Sequence, residues 1–444
     1  MANKFDVRHV TICDNNFGMI PRDAKTAELI YSLKQKYNWP KSVSVWTGKN
    51  SKERIIEATR LLGETMNISM AVQSMDPKVL ENISRANIKL DHYKAIATEL
   101  KSQGRAQHGE IISPLPGETF ASFTKGFSDL LDTDVTKVEN HTIQILHGTP
   151  YADNKKYIED HGYNIKSRIV PLDYGKYTND SYVFDYEKVG VATKDFSFDE
   201  YIKSRKITLI ANLCFNGNTF EALKKYVLSI GLKRSDWIKY LYKNMDKFDD
   251  PIKKIFKSFI EESKSELWDS EEEMVKYYSK EENYKALIRG DMGTNLLAKY
   301  TAKSILIYDD IITTIFKVIR NKLNKSHNKE NDLIIDSAEK WLRNLYMIEE
   351  IFNEEQMSEK YNQYELKIDF DFPGWLSQNH LPFHKFINKC TYKMNYDIEK
   401  IRYSHDTKKA LDKNYNKARA MARFTRGHLQ SGSTSFEKQF QKVS

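Results

Sequence analysis

Ala106-Gln107-His108-Gly109-Glu110-Ile111-Ile112, then Ser113-Pro114-Leu115-Pro116-Gly117-Glu118-Thr119, then Phe120 to Leu131, is the stretch whose reading decides the fold. A short run ends on paired isoleucines, two prolines and a glycine break it, and an amphipathic repeat follows. That order reads as a strand, a tight turn and a helix. The same unit recurs on both sides. Upstream, Val10-Thr11-Ile12-Cys13 reads as a strand ending in the polar turn Asp14-Asn15-Asn16-Phe17-Gly18. Ala27, Ile30 and Leu33 then repeat at helical spacing between Ala24 and Tyr37. Val43 to Trp46 ends at Thr47-Gly48-Lys49-Asn50 and precedes a helical pattern from Lys52 to Leu62. Ile68 to Val72 ends at Gln73-Ser74, with helical patterns near Pro77 to Ser84 and Asp91 to Ser102. Downstream, Lys137 to Leu146 reads as a strand ending at His147-Gly148-Thr149. This alternation predicts a parallel sheet with right-handed crossovers. A polar cluster closes each strand, and in parallel α/β folds and barrels that C-terminal edge is where ligands bind.

From Tyr151 to Glu187 the chain is polar with no clear period and reads as a long excursion. Lys188 to Thr193 reads as one more strand. Beyond Phe198 the spacing is helical: Tyr201 to Leu213, Thr219 to Ile230, Trp237 to Met245, Ile252 to Leu267, Glu272 to Tyr278, Asn295 to Tyr300, Ile305 to Leu323 and Leu333 to Phe352. Lys367 to Phe372 reads as a short strand, Asp412 to Gln430 as a basic helix, and the final dozen residues as a frayed polar end. The division implied is an α/β part over 1–195 and a mostly helical part over 196–444.

A chain of 444 residues with 40% apolar content builds more than one domain with a sizeable core. Charged residues reach 29%, and no apolar run has the roughly 18 residues of a membrane span. The net charge of +8 is mostly lysine, without the basic-aromatic interleaving of a nucleic-acid module. Neither a membrane nor a nucleic acid is expected as partner. The three cysteines, Cys13, Cys214 and Cys390, are far apart, form no metal or cluster motif, and suit a reducing cytoplasm.

The strand-end clusters, taken together, resemble cobalamin-dependent radical S-adenosylmethionine (SAM) proteins. Asp14 to Gly18 with Pro21-Arg22-Asp23 is similar to the end of that family's second barrel strand, and Thr47 to Asn50 to the end of its third. Gln73-Ser74-Met75-Asp76 with Leu80 and Arg85 resembles the fourth strand and its helix. Glu110 with Leu115-Pro116-Gly117-Glu118-Thr119 resembles the fifth-strand motif, where Pro114 stands in place of the commonest glycine. His141 with Leu146 and Gly148-Thr149 resembles the sixth. The resemblance implies a partial (β/α) barrel, strands two to six, followed by the helical part. It implies SAM as cofactor, held by Asp14, Asn15, Asn16, Phe17, Gly18, Thr47, Lys49, Asn50, Gln73, Ser74, Glu110, Pro114, Leu115, Pro116, Gly117 and His141. In the family a [4Fe-4S] cluster on C-x-x-x-C-x-x-C and a cobalamin domain complete the machinery, and this sequence has neither.

The activity implied is radical methyl transfer, with no catalytic residue assigned and the substrate unknown. The chain alone is expected to be inactive. It reads as the C-terminal, truncated portion of such an enzyme, its cluster supplied by an N-terminal segment or an upstream-encoded subunit. The alternatives are a degenerate SAM-like binding subunit and a scaffold. A missing first strand also predicts an unpaired edge along Val10 and Ile12, with exposed apolar side chains near Val43 and Val45.

Each cluster also has a plain structural reading. Asp14 to Gly18 suits an Asn-rich turn, and Asp76-Pro77 suits a helix start. Pro116 to Thr119 either brings backbone amides to the ligand or simply opens a helix, with Glu118 favouring its dipole. Lys49 and Arg85 serve either as rim cations or as solvated surface. His141 and His147 share a face if the strand is unbroken, but no carboxylate or thiolate completes a ligand set by spacing. They read as rim or core histidines, as do His9 and His108, and no metal ligand is assigned.

Overall fold

The computed structural model describes residues 9–47, 54, 57, 60–62, 66–85, 90–102, 107–178, 181–217, 220–323, 329–346, 364–395 and 439–444. The chain divides into two compact units, Met1–Asn164 with Gly190–Ser204, and Ile165–Val189 with Arg205–Ser444.

The first unit is built on β1 (His9–Phe17), β2 (Ser42–Thr47), β3 (Met66–Gln73), β4 (Gln107–Ser113) and β5 (Lys137–Thr142). They form one sheet in sequence order, and every neighbouring pair is parallel. Its helices are α1 (Pro21–Tyr37), α2 (Pro77–Asn82), α3 (Leu90–Ser102), α4 (Phe120–Leu131), α5 (Pro150–Asp153) and α6 (Lys155–His161). α4 shows why such segments fold here. Thr119 caps it, its hydroxyl accepting from the Ser122 amide at 3.1 Å, and Phe123, Phe127, Leu130 and Leu131 are all buried at helical spacing. Gly109 on β4 admits the neighbouring layer: a Cβ there would lie 2.9 Å from the Tyr93 hydroxyl of α3 and 3.4 Å from Leu130 of α4.

Three expectations change in this unit. β1 runs on to Phe17, so Asp14 to Phe17 lies within the strand, and a register shift between Ile12 and Phe17 absorbs the polar insert. β5 stops at Thr142: the Ile143 amide makes the last bond to β4, at the Ser113 carbonyl (3.1 Å), and the Ile143 carbonyl takes the Gly190 amide (3.0 Å). His147 is therefore off the strand and shares no sheet face with His141. Val43 and Val45 are buried rather than exposed, on the same side of the sheet as buried Ile111 and Val138.

The second unit holds most of a two-stranded ribbon, β6 (Asn164–Lys176) and β7 (Tyr182–Ala192). The polar excursion thus contains two long strands. Their apolar face is Ile169, Tyr174, Tyr182 and Phe184, packed with Met274, Tyr278 and Leu287. The strand read from Lys188 is the end of β7. The helices are α7 (Phe198–Cys214, shared with the first unit), α8 (Glu221–Ser229), α9 (Arg234–Lys243), α10 (Asp250–Ser265), α11 (Glu271–Tyr278), α12 (Glu281–Arg289), α13 (Leu296–Ile305), α14 (Tyr308–Leu323), α15 (Lys329–Asn344) and α16 (Phe372–Ser377). A small antiparallel sheet accompanies them, ordered β10 (Gln439–Lys442), β9 (Cys390–Asn395), β8 (Tyr364–Ile368). The C-terminal end is therefore a strand and not a fray. Lys442 donates to Asp371 at 2.6 Å, Tyr392 donates to the same carboxylate at 2.5 Å, and Phe440 meets Trp341 edge-on at 4.6 Å. The basic helix expected over 412–430 lies outside the described residues. No helix among the described residues is long and apolar enough to cross a membrane.

β1 borders the sheet, and among the described residues no strand pairs with its outer side. Such an edge is a template for another strand. The chain is expected to self-associate with rising concentration in size-exclusion chromatography with light scattering. Thr11→Lys, at an exposed position on β1, should shift it toward monomer. A wild-type chain that stays monomeric at every concentration would show that the edge is protected.

Candidate functional site

Because the five strands are parallel, their C-terminal ends share one edge. Phe17, Thr47, Gln73, Ser113 and Thr142 stand there, with Ser74 and the 114–119 turn just beyond. Of the residues singled out in the sequence, Asp14, Asn15, Asn16, Phe17, Gly18, Thr47, Gln73, Ser74, Pro114, Leu115, Pro116 and Gly117 lie at or next to this edge. Glu110 lies lower on β4, and His141 is one residue from the end of β5. Gly48, Lys49 and Asn50 lie outside the described residues.

The β1 corner is tied to α1. The buried Asp23 carboxylate accepts from the amides of Gly18 (2.8 Å) and Ile20 (3.2 Å), and Asp14 accepts from Asn16 (2.8 Å). Gly18 takes φ +90, a conformation that side chains resist. Phe17 is buried. At the end of β3, Gln73 is held at φ +56 where the β3–β4 register shifts. A non-glycine residue there carries strain of roughly 1–2 kcal/mol, a cost that concentrates at functional positions. Asp76 caps α2, accepting from Lys78 (2.9 Å) and Val79 (3.2 Å), while Ser74 is buried beneath.

The 114–119 turn is held from several sides. Tyr163 donates to the Pro114 carbonyl (3.1 Å), Asn82 to that of Pro116 (2.9 Å), and Tyr157 to that of Asn82 (3.2 Å). The Ser113–Pro114 peptide is cis. Glu118 does not sit at the helix dipole. It turns inward, 2% exposed, and accepts from the Leu115 amide at 3.2 Å. Burial pushes its carboxyl up to about 8, Asp76 adds to the rise, and the Leu115 amide and Ser74 hydroxyl oppose it. This narrows the backbone-amide reading. The prolines have no N–H, Leu115 is committed to Glu118, and the Glu118 and Thr119 amides bond Leu115 O (3.0 Å) and Ser122 Oγ (2.9 Å). Gly117, at φ +77, holds the one amide of the turn without a partner among the described residues.

Below the edge the sheet has two unlike faces. Gly109, Ile111, Ser113 and Val138 are buried on the side of α3 and α4. On the other face the register sets His108 beside Lys137, Glu110 beside Glu139 and Ile112 beside His141. Lys137 meets Glu139 at 2.5 Å. Burial by itself would raise the Glu139 carboxyl, but Lys137, His141 and His108 together hold it below its ordinary value. Burial and then Lys137 push the His108 imidazole down, against Glu139 and Glu110. Sequence reasoning missed Lys137 and Glu139, and read Glu118 as a dipole residue rather than a buried one. The period-two order Lys137-Val138-Glu139-Asn140-His141 carried the signal for the first two.

The cysteines do not fit an iron–sulfur cluster. Cys13 is exposed on β1, Cys214 closes α7 and Cys390 opens β9, and all three are free thiols. Burial pushes the Cys214 thiol up and that of Cys390 up to about 11, the opposite of what thiolate ligands need.

An open parallel sheet with polar strand ends, a strained Gln73 and a polar face beneath has the layout in which parallel α/β folds carry ligand sites. No family model matches the chain. Over 163 residues it is 31% identical to a cobalamin-dependent radical SAM methyltransferase of Streptomyces tokunonensis, a match over 36% of this chain and 24% of that protein. Over 130 residues it is 32% identical to the 2-(S-pantetheinyl)-carbapenam-3-carboxylate methyltransferase of Streptantibioticus cattleyicolor, over 29% of this chain and 19% of that protein. The matches span a quarter or less of these curated relatives. They support a relationship to the radical SAM superfamily. A solved structure, coproporphyrinogen III oxidase from Escherichia coli, described as a radical SAM enzyme, aligns over 54% of this chain and 82% of its own at 12% identity. Its TM-score of 0.22 is too low to carry an argument.

Glu118 gives this turn a pH dependence. Its folded value of about 8 stands above the ordinary 4.5, so between those values the folded chain holds a proton that the unfolded chain releases. Stability is full below the ordinary value and is lost as pH rises through the folded one, by at most about 1.4 kcal/mol per pH unit. Thermal melts should weaken from pH 5 to pH 8 in the wild type, and Glu118→Gln should remove most of that slope. Equal slopes in the two proteins would place the titrating group elsewhere.

Proposed function

We propose that this chain is the SAM-binding portion of a cobalamin-associated radical SAM methyltransferase, acting in the cytoplasm on a substrate the sequence does not name. Its sheet serves as strands two to six of a partial barrel. The observation that carries this reading is the coincidence of polar residues on one parallel-sheet edge with likeness to a cobalamin-dependent radical SAM methyltransferase. In this reading Asp14, Asn16, Gln73, Ser74 and the Gly117 amide receive SAM. The three cluster thiolates come from another segment or an upstream-encoded subunit, and the chain by itself does not cleave SAM. The buried thiols of Cys214 and Cys390 favour a second reading, a binding subunit that keeps the SAM pocket without redox chemistry.

Calorimetry with S-adenosylhomocysteine tests the shared part of both readings. Saturable binding is expected, weakened roughly tenfold in Gln73→Ala, the loss of about one hydrogen bond. Gln73→Gly should lose affinity similarly while raising the melting temperature, because glycine relieves the positive φ. No binding by the wild type removes both readings. Anaerobic reconstitution then separates them. The chain alone should take up no stoichiometric iron and sulfide. Uptake and SAM cleavage on co-expression with the cysteine-bearing partner would support the enzyme portion, and their absence the binding subunit.

A further inference from the structure

The polar face of β4 and β5 also brings metal-ligating side chains together, two of which, Glu110 and His141, the family resemblance assigns to SAM. Glu110, Glu139 and His141 each offer one donor atom, and these atoms all lie within 4.8 Å of one another. They meet because adjacent parallel strands in register project alternate residues to the same side: Glu110 faces Glu139, and His141 follows two residues on. Both carboxylates are half-buried, unlike an acidic cluster spread over solvent, and His141 is exposed, which leaves a path for an ion to enter. Glu110 and Glu139 each precede the end of their strand by three residues and His141 by one, so the ligands spring from roughly 3 to 10 Å below the C-terminal edge.

Two carboxylates held this close need positive charge. Lys137 supplies part of it through one oxygen of Glu139 (2.5 Å). Lys137 also fixes the orientation of Glu139, as residues behind a metal ligand commonly do. Donors around a first-row ion stand roughly 3.0–3.4 Å apart at bond lengths near 2.1 Å. The soft terminal torsions of glutamate and histidine reach that spacing from 4.8 Å. One imidazole nitrogen with two carboxylate oxygens is a borderline-hard donor set, suited to zinc, manganese or iron(II). Three protein ligands leave coordination positions open, the pattern of an ion that holds water or a small oxygen ligand.

We propose that Glu110, Glu139 and His141 form a three-ligand site for a first-row divalent cation on the polar face of the sheet. The site needs no iron–sulfur chemistry, and it overlaps the residues the resemblance assigns to SAM only at Glu110 and His141.

The experiment uses the full chain, stripped with a chelator and desalted. Zn²⁺ is titrated by calorimetry and Co²⁺ by visible absorption. The expected result is one equivalent of each ion, cobalt bands of a nitrogen–oxygen site, and a melting temperature that rises with Zn²⁺. His141→Ala and Glu139→Gln should each weaken binding at least tenfold and abolish that rise. His147→Ala, an exposed histidine off the strand, should change neither. His141 is exposed, so its variant tests the site even if Glu139→Gln fails to fold; circular dichroism of the metal-free proteins checks this. No saturable binding overturns the proposal. So does equal binding by wild type and His141→Ala, or equal loss in His147→Ala, which would mark adventitious capture by surface histidines.

Discussion

The parallel register between β4 and β5 decides which side chains in the first unit act together. Val138 lies beside Gly109 and Glu139 beside Glu110. The first pair is buried on the helix side and the second turns to the opposite face. A slip of one residue would exchange the two sets, burying three ionisable groups against α4 and opening the apolar core. That exchange is too costly to occur, so packing of Phe123, Phe127 and Leu130 against one face also holds the titratable residues of the other. Gly109 adds to the specification, since the Tyr93 hydroxyl occupies the space a larger residue would need.

The edge above is built by a different device. Carbonyls of the 114–119 turn are held by side chains from two other segments, Tyr163 and Asn82, and its amides are largely consumed within the turn. The conformation is therefore set from outside, and little of the backbone is left for a ligand. Pro116 is buried along with Leu115. What the turn offers is one amide at Gly117 and a shape, with Gln73 and Ser74 beside it supplying side-chain polarity.

Strand positions in the first unit were legible because β-branched runs, Gly and Pro breaks and helical spacing all agree there. The ribbon β6–β7 was not, because its apolar residues are scattered through a polar stretch with no clear period, and they pack on residues about a hundred positions away. The extension of β1 through Asp14 and Asn16 was hidden by a register shift that no local pattern announces. The edge residues could be named because turn chemistry is local. The grouping of Glu110 with Glu139 and His141 could not be read from spacing within one strand. It depends on strand neighbours and register, which a single sequence encodes only through the whole fold.

The last six residues close the small sheet. Lys442 reaches a carboxylate that also accepts from Tyr392 and from the Gly374 amide at 3.0 Å, and Phe440 lies against Trp341 and Tyr392. Anyone shortening the chain at Lys438 would be removing a piece of architecture and not trimming a tail. The same holds for a fusion placed directly after Ser444, whose carbonyl accepts from the Thr391 amide at 3.0 Å. A handle for purification or immobilisation at this end belongs behind a spacer long enough to leave this strand seated.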